Sequence, residues 1–187
     1  MCIRDRASDG KEILWDMQLY FGGNPALWNN DTNTPLPGYD GDWMYNQHHQ
    51  YDILEVCAMA HGLMNGLMDI RRAPNIWADY EELWEDKDNP PELLPVTKEY
   101  ADHIMSIKDD EKKLFAHVYT RHMGDLSGGQ MIRKKIPGSG KLYDFENGPA
   151  LKEKIRERLD DSMADEAKIC FDFATKTFQE MMDATTS

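Results

Sequence analysis

The stretch AHVYTRHMGDLSGGQ, residues 116–130, has the residue spacing of a helix but contains three glycines within six positions. Each glycine inside a helix costs about 1 kcal/mol relative to alanine. Gly124 and Gly128 are four residues apart and therefore lie on one helix face. Because glycine has no Cβ atom, that face is bare backbone. Such a face predicts one of three features: close approach by a second helix, close approach by a large flat ligand, or a bend of the helix itself.

The polar residues of the same stretch favour the ligand over simple helix packing. Tyr119, Arg121, His122 and Asp125 make this helix interior more polar than packing against another helix requires. Asp125 directly follows Gly124, so its carboxylate is expected beside the bare strip.

Helical spacing extends through most of the chain. Helices are predicted over residues 11–23, 43–69 (continuous or broken), 75–86, 96–107, 114–135, 150–162 and 165–183, and loops over 24–42, 88–95 and 137–149. No segment shows the alternation of a strand bounded by hairpin turns. The predicted fold class is therefore all-α, a single-domain helical bundle.

Composition excludes several classes of partner. The 187 residues include 34 acidic and 21 basic side chains, for a net charge of −13. Nucleic acid is disfavoured, because phosphate binding needs a basic face. No apolar run approaches the 18 residues of a membrane span, so no membrane association is expected. Three cysteines, Cys2, Cys57 and Cys170, lack metal-binding spacing and indicate a reducing, cytoplasmic setting.

The stretch 116–130 resembles the signature of the heme oxygenase family, A-H-x-Y-x-R-x-x-G-D-L-S-G-G-Q, at every fixed position. Further similarity is found in YNQHHQYDILE (45–55), TKEYADHI (97–104), LKEKIRERL (151–159) and DEAKICFDF (165–173). The resemblance covers about residues 43–183. The loop PGSGKLYDFEN (137–147) is similar to versions from marine viruses and cyanobacteria.

The resemblance implies a heme oxygenase-like bundle that holds heme, as cofactor and substrate, between a proximal and a distal helix. The family uses O2 and electrons from a donor protein such as ferredoxin to make biliverdin, carbon monoxide and ferrous iron. The glycine strip would be the distal helix, with Gly124 and Gly128 against the ring. The basic stretches 133–135 and 152–158 would dock an acidic electron donor.

The resemblance also assigns a proton-delivery role. Asp125 would order the water that supplies protons during ring hydroxylation, and a carboxylate suits this role because it accepts strong hydrogen bonds. Tyr51, Tyr100 and Arg121 would support that water. For Tyr51 and Tyr100, packing in the core with a hydrogen-bonded hydroxyl remains an alternative.

Heme propionates require cations at the rim of the pocket. Lys152 and Arg156 are four residues apart on one helix face and match the family's propionate partners. Tyr119 would add a hydroxyl, and Phe171 would pack on the heme edge. The alternatives are a solvated basic face for the two cations and ordinary core packing for Phe171.

The family's iron ligand has no obvious counterpart. The resemblance implies a histidine near Ala7 or Ser8, in a stretch like H-x-x-A-E, yet no histidine precedes His48. We therefore expect residues 1–10 to be a non-native or disordered leader and residues 11–187 to form the domain, with a truncated N-terminus.

The identity of the metal ligand is left unknown. His48, His49 and His61 are candidates by residue type. His117 and His122 are interpreted as structural. A second departure is Ala174, where the family often has an asparagine in the water network.

Two other functions are considered. A heme-binding protein without turnover is favoured by the missing axial histidine and disfavoured by the intact glycine–aspartate helix. A non-heme di-iron oxygenase would need Glu-x-x-His pairs, and none of the six histidines has a glutamate three residues before it.

Overall fold

The computed structural model describes residues 2–6, 12–16 and 40–186. Residues 40–186 are mainly helical, which confirms the predicted all-α class. The α-helices are α1 (Gly41–Ala60), α2 (Ala73–Leu83), α3 (Pro95–Ser106), α4 (Glu111–Ser127), α5 (Gly129–Ile132), α6 (Gly148–Arg156) and α7 (Ala164–Thr186). Short 3-10 helices cover Met68–Ile70, Arg133–Lys135, Lys141–Tyr143 and Asp161–Met163. No helix in these ranges is long and apolar enough to cross a membrane.

The helix predicted over residues 11–23 is wrong where the structure describes it. Glu12–Asp16 is a strand (β2) that pairs antiparallel with β1, Cys2–Arg6, in a register that sets Cys2 opposite Asp16. The helical spacing of Ile13, Leu14, Met17 and Phe21 in the sequence did not decide the conformation of Glu12–Asp16, because backbone pairing with another segment competes with a short periodic pattern. β1 falls inside the predicted leader, whose origin stays a prediction. Most of the predicted 24–42 loop lies outside the described residues.

The second predicted helix is broken, as one of its two interpretations allowed. α1 begins where the Asp40 side chain accepts a hydrogen bond from the backbone N–H of Trp43 at 3.1 Å. It ends at Ala60, and the chain then turns through Gly62 and Gly66, whose φ angles are 68° and 74°. Glycine adopts these angles without the strain that a side chain would add.

Helix α1 is the centre of the bundle. It packs against α2, α3 and α4, and α4 packs in turn against α6 and α7. Leu54 and Ala58 of α1 belong to a larger apolar cluster with α3, α4 and α6. Trp43, Met44 and Tyr51 of the same helix belong to a smaller cluster with α2 and the 3-10 helix Lys141–Tyr143. The crossing of α1 and α4 therefore lies between two apolar clusters.

The glycine-bearing segment is not one continuous helix. α4 ends at Ser127, Gly128 caps it, and α5 restarts at Gly129. The backbone N–H of Gly128 still donates to the Gly124 carbonyl at 2.7 Å. The single helix predicted over 114–135 is thus interrupted at the second glycine of the strip.

Candidate functional site

Asp125 lies in the interior, on the side of α4 that faces α1. Its residue surface is 5% exposed, and the Tyr51 hydroxyl of α1 donates a hydrogen bond of 2.5 Å to its Oδ2. Tyr51 is itself 3% exposed. A buried carboxylate with a phenol donor is therefore fixed at the crossing of the two helices.

Arg121 lies one helical turn before Asp125 and is also buried. Its guanidinium carbon is 5.4 Å from the centre of the Tyr51 ring and 4.6 Å from that of Tyr100. Its terminal nitrogens donate to Oε1 of Gln50 and, at 3.3 Å, to Oε1 of Gln47. Two amide acceptors from α1 thus hold a positive charge next to the Asp125–Tyr51 pair.

The burial of Asp125 changes its acidity. Burial raises the pKa of Asp125 from 3.8 to about 6, although the Tyr51 hydrogen bond and the charges of His122, Arg72 and Arg121 act to lower it. A carboxyl group with this pKa can hold or release a proton near neutral pH.

A small cavity adjoins the carboxylate. Its volume is about 20 Å³, and its lining includes Asp125, Tyr51, Arg121 and Ala174, together with apolar side chains such as Trp43. A water molecule needs roughly 10–15 Å³ of such space and two or more polar partners, so the cavity has the size and polarity for one water. Ala174, which also lines the cavity, contributes no polar atom from its side chain.

Tyr100 is connected to the Asp125–Tyr51 pair through Arg121. Its hydroxyl is 3.0 Å from Nδ1 of His117, and Arg121 lies between Tyr100 and the Asp125 side of the site. Burial raises the pKa of Tyr100 well above its ordinary value. Tyr100 therefore joins a second polar group, made of His117, Glu166 and His103, to the Arg121 guanidinium.

The two glycines of the strip flank Asp125 in the sequence. Gly124 is partly exposed and Gly128, at the end of α4, is buried. The bare strip is thus only partly covered by the described residues, while the Asp125 side chain on the same helix is enclosed.

The four predicted heme-edge residues fall on different parts of the bundle. Tyr119 is 2% exposed and belongs to the larger apolar cluster, against which the partly buried Phe171 also packs. Lys152 and Arg156 are partly exposed on α6. Arg156 donates to Oε1 of Glu153 at 2.8 Å. These positions are compatible with heme contact and with the alternatives, which are a solvated basic face for Lys152 and Arg156 and core packing for Phe171.

Two of the histidines have partners on both ring nitrogens. His122 lies 2.9 Å from Oε1 of Glu55 and 2.8 Å from the Val118 carbonyl. His117 lies between Tyr100 and Glu166. These contacts agree with the interpretation of both as structural.

The alternative iron ligands have different surroundings. His48 Nδ1 and His49 Nε2 are buried and have no hydrogen-bond partner within the described part of the chain. Their rings pack against Trp77 and Tyr45, respectively. His61 Nε2 is 2.6 Å from the Lys108 carbonyl. The predicted ligand position near Ala7 or Ser8 lies outside the described residues.

Sequence reasoning missed the amides that hold Arg121. Gln47 and Gln50 are 8% and 0% exposed, and Gln50 also donates to Thr97 and Thr177 at 3.1 Å. Their spacing of three residues, with Gln47 one turn before Tyr51 and Gln50 directly before it, is the signal that could have placed them on the same face.

A buried ionic cluster around Glu55 was also missed. Glu55 accepts hydrogen bonds from His122, from Arg71 and from the backbone N–H groups of Arg72 and Ala73. Burial acts to raise the pKa of Glu55, but the hydrogen bond and charge of His122 and the backbone donors lower it overall. This cluster ties α1 and the start of α2 to the signature helix α4.

The sequence profile of the heme oxygenase family matches residues 44–184, three quarters of the chain, including Tyr51, Arg121 and Asp125. The chain belongs to the heme oxygenase family. The match agrees with the extent of the resemblance seen in the sequence.

Heme oxygenases from algae and cyanobacteria are among its relatives. That of Guillardia theta is 35% identical, over 54% of this chain and 51% of the relative. That of Pyropia yezoensis is 34% identical, over 48% and 47%. Heme oxygenase 1 of Nostoc is 33% identical, over 48% and 47%. The chain spans about half the length of these relatives.

Solved heme oxygenases share the fold. Heme oxygenase-2 of Synechocystis, in complex with heme and NO, superposes with a TM-score of 0.72 at 20% identity, over 90% of this chain and 85% of that one. Heme oxygenase-1 of the same cyanobacterium, in complex with heme, gives 0.67 at 19% identity, over 91% and 86%.

Proposed function

We propose that this protein is a heme oxygenase that opens the heme ring to biliverdin and releases carbon monoxide and ferrous iron. The reaction uses O2 and electrons from a reduced donor. The observation that carries the proposal is the Tyr51–Asp125 hydrogen bond beside a cavity of one-water size, on the helix that contains the family signature. Family membership supports it.

The residues of the described part suit the oxygen side of a heme. Gly124 and Gly128 offer backbone without side chains to a flat ring, and Gly124 is partly exposed. Lys152 and Arg156 would bind the propionates, and Tyr119 and Phe171 would line the edge. When bound, the heme supplies the iron at which O2 is reduced and the ring that is oxidised.

Asp125 would hold and position a water molecule in the cavity. Tyr51 donates to one carboxylate oxygen and so leaves the other to accept from water. With a pKa of about 6, the carboxyl group can exchange a proton with that water near neutral pH. Arg121, held by Gln47 and Gln50, would fix the local charge and orient the Tyr51 ring.

The electron donor is proposed to be a small acidic protein such as ferredoxin, in a cytoplasmic setting. Cys57 and Cys170 are free thiols, in keeping with a reducing compartment. Of the two basic stretches, 133–135 contains the exposed Lys134, whereas Arg158 donates to the carbonyls of Leu63 and Asn65. Lys134→Glu should slow turnover with ferredoxin at low salt and leave turnover with a small-molecule reductant unchanged. Equal ferredoxin rates for variant and wild type would contradict docking at this stretch.

A heme-binding protein without turnover is the second candidate. The observation that favours it is that Ala174, which lines the cavity beside Asp125, supplies no polar side-chain atom to hold a water molecule there. Both candidates predict a Soret band on addition of heme, but only an oxygenase converts that band to biliverdin.

The test is a heme titration followed by reductant and O2. We expect a Soret band at one heme per chain, and a biliverdin spectrum after reduction. Asp125→Ala should keep the Soret band and lose biliverdin. Asp102→Ala, an exposed carboxylate on α3, is the matched control and should keep both. A Soret band without biliverdin in the wild type would overturn the oxygenase in favour of the second candidate.

A further inference from the structure

Three side chains that can bind metals converge at a point away from Asp125. His103 comes from α3, His117 from α4 and Glu166 from the first turn of α7. Oε1 of Glu166 is 2.5 Å from Nε2 of His103 and 3.0 Å from Nε2 of His117. The three potential ligand atoms all lie within 4.8 Å of one another.

The three side chains differ in solvent exposure, from His117 in the core to His103 near the surface. The His117 side chain is fully buried, that of Glu166 is 6% exposed and that of His103 is 22% exposed. An ion could therefore enter from the His103 side, and a water molecule could complete its coordination there. The inner two ligands would be held rigidly by the core.

The contacts of His117 direct its Nε2 atom towards the other two candidate ligands, where a metal would replace the proton shared with Glu166. Its Nδ1 is 3.0 Å from the Tyr100 hydroxyl, which fixes the ring so that Nε2 points at Glu166. Metal-binding histidines commonly have such a partner on the second ring nitrogen, because it sets the orientation and tautomer of the imidazole.

We propose that His103, His117 and Glu166 form a binding site for a divalent transition-metal ion, with Zn²⁺ as the best match. Two imidazole nitrogens and one carboxylate oxygen are a donor set that Zn²⁺ binds tetrahedrally at roughly 2.0–2.2 Å, with water in the fourth position. Ligand atoms in such a site are about 3.3 Å apart. The cluster reaches this spacing through small shifts, and the partly exposed His103 ring is the part that is free to make them.

The site is separate from the proposed heme chemistry. None of its three proposed ligands is assigned to heme or to the Asp125 water. Tyr100, which orients His117, also contacts Arg121, and Cys170 interacts with both His117 and Arg121. Zn²⁺ binding to the heme-free chain is therefore the measurement that tests the metal site, independently of heme oxygenase activity.

The test is a metal titration of the heme-free, untagged, full 187-residue chain at pH 8, where a metal competes better with the proton between His117 and Glu166. We expect one equivalent of Co²⁺ to give the visible bands of tetrahedral coordination, and Zn²⁺ to displace it. His103→Asn should weaken Zn²⁺ binding by at least about 100-fold, since even the partners of metal ligands contribute 10–100-fold.

His61→Asn is the matched control. His61 is another histidine at the surface, with a side chain 28% exposed against 22% for His103, and it lies near a glutamate, Glu111. Its removal should leave Zn²⁺ affinity unchanged. Circular dichroism of both variants without metal checks that each is folded.

A wild-type measurement keeps the proposal testable if a variant misfolds. Long-range ¹H–¹⁵N spectra of the histidine rings should show Nε2 of His103 and of His117 shifting together on addition of one equivalent of Zn²⁺. Equal Zn²⁺ affinity in wild type and His103→Asn, or unchanged Nε2 signals, would show that the cluster holds only protons.

Discussion

The raised pKa of Asp125 makes a quantitative prediction about stability. The folded-state pKa of about 6 lies above the ordinary value of 3.8, so folding favours the protonated carboxyl group. The stability that this group contributes is fully present below pH 3.8 and is lost as the pH rises through 6. The full difference corresponds to about 3 kcal/mol, because one pKa unit is worth 1.36 kcal/mol.

Asp125→Asn removes this pH dependence. Asparagine is nearly isosteric, stays neutral and can still accept the Tyr51 hydrogen bond. Integration of the linkage relation gives the wild type a penalty of about 1.5 kcal/mol at pH 5 and about 3 kcal/mol at pH 8. The stability of the variant relative to wild type should therefore rise by about 1.5 kcal/mol between the two pH values.

The assay is urea unfolding of the heme-free, metal-free chain at pH 5 and pH 8. Any fixed cost or gain from the amide group cancels, because only the change with pH is compared. Asp102→Asn removes the same charge from an exposed site on α3 and measures the effect of net charge alone. If Asp125→Asn and wild type differ by the same free energy at both pH values, the carboxyl group of Asp125 is not perturbed by burial and the reasoning fails.

Two further substitutions test the packing around the site. A Cβ atom at Gly129 would lie 2.2 Å from Cδ1 of Tyr143. Gly129→Ala should therefore destabilise the fold by about 1–3 kcal/mol, because this clash outweighs the roughly 1 kcal/mol that alanine gains in a helix. Urea unfolding should show no such loss in a Tyr143→Ala background, and a loss that persists there would contradict the steric cause. Glu55→Ala should lower the free energy of unfolding by roughly 3–5 kcal/mol, because it leaves several buried donors without their acceptor. A double-mutant cycle with His122→Ala should show strong coupling between the two residues. Additive losses would mean that the Glu55–His122 interaction does not stabilise the fold.

The fold class was predictable because helical spacing covers most of residues 40–186. The break after Ala60 was predictable only as an alternative, since Gly62 and Gly66 mark a turn but do not say where the helix stops. The error at Glu12–Asp16 has a different origin. A five-residue strand depends on its pairing partner Cys2–Arg6, and local spacing does not contain that information.

Tyr51, Arg121 and Asp125 could be proposed from the sequence as site residues, but the contacts that join them could not. Tyr51 and Asp125 are 74 residues apart, and only the family resemblance placed them together. The role of Gln50, which lies 71 residues from Arg121, depends on the same helix crossing. The His103–Glu166 contact joins residues 63 apart, and no motif of adjacent residues marks it.

The features that identify this site also cost stability. Asp125 is ionised at neutral pH at a cost approaching 3 kcal/mol, and the glycines of α4 and α5 each give up about 1 kcal/mol of helix propensity. A domain is typically stable by only 5–15 kcal/mol, so these costs are a substantial fraction of the total. The buried contacts that offset them, Gln50 to Arg121 and Glu55 to His122, connect α1 to the same helix. Contacts with α1 therefore stabilise helix α4 despite its glycine and its buried carboxylate, which explains why residues with low helix propensity occur in it. It also implies that substitutions at Asp125 can stabilise the protein while removing its proposed activity.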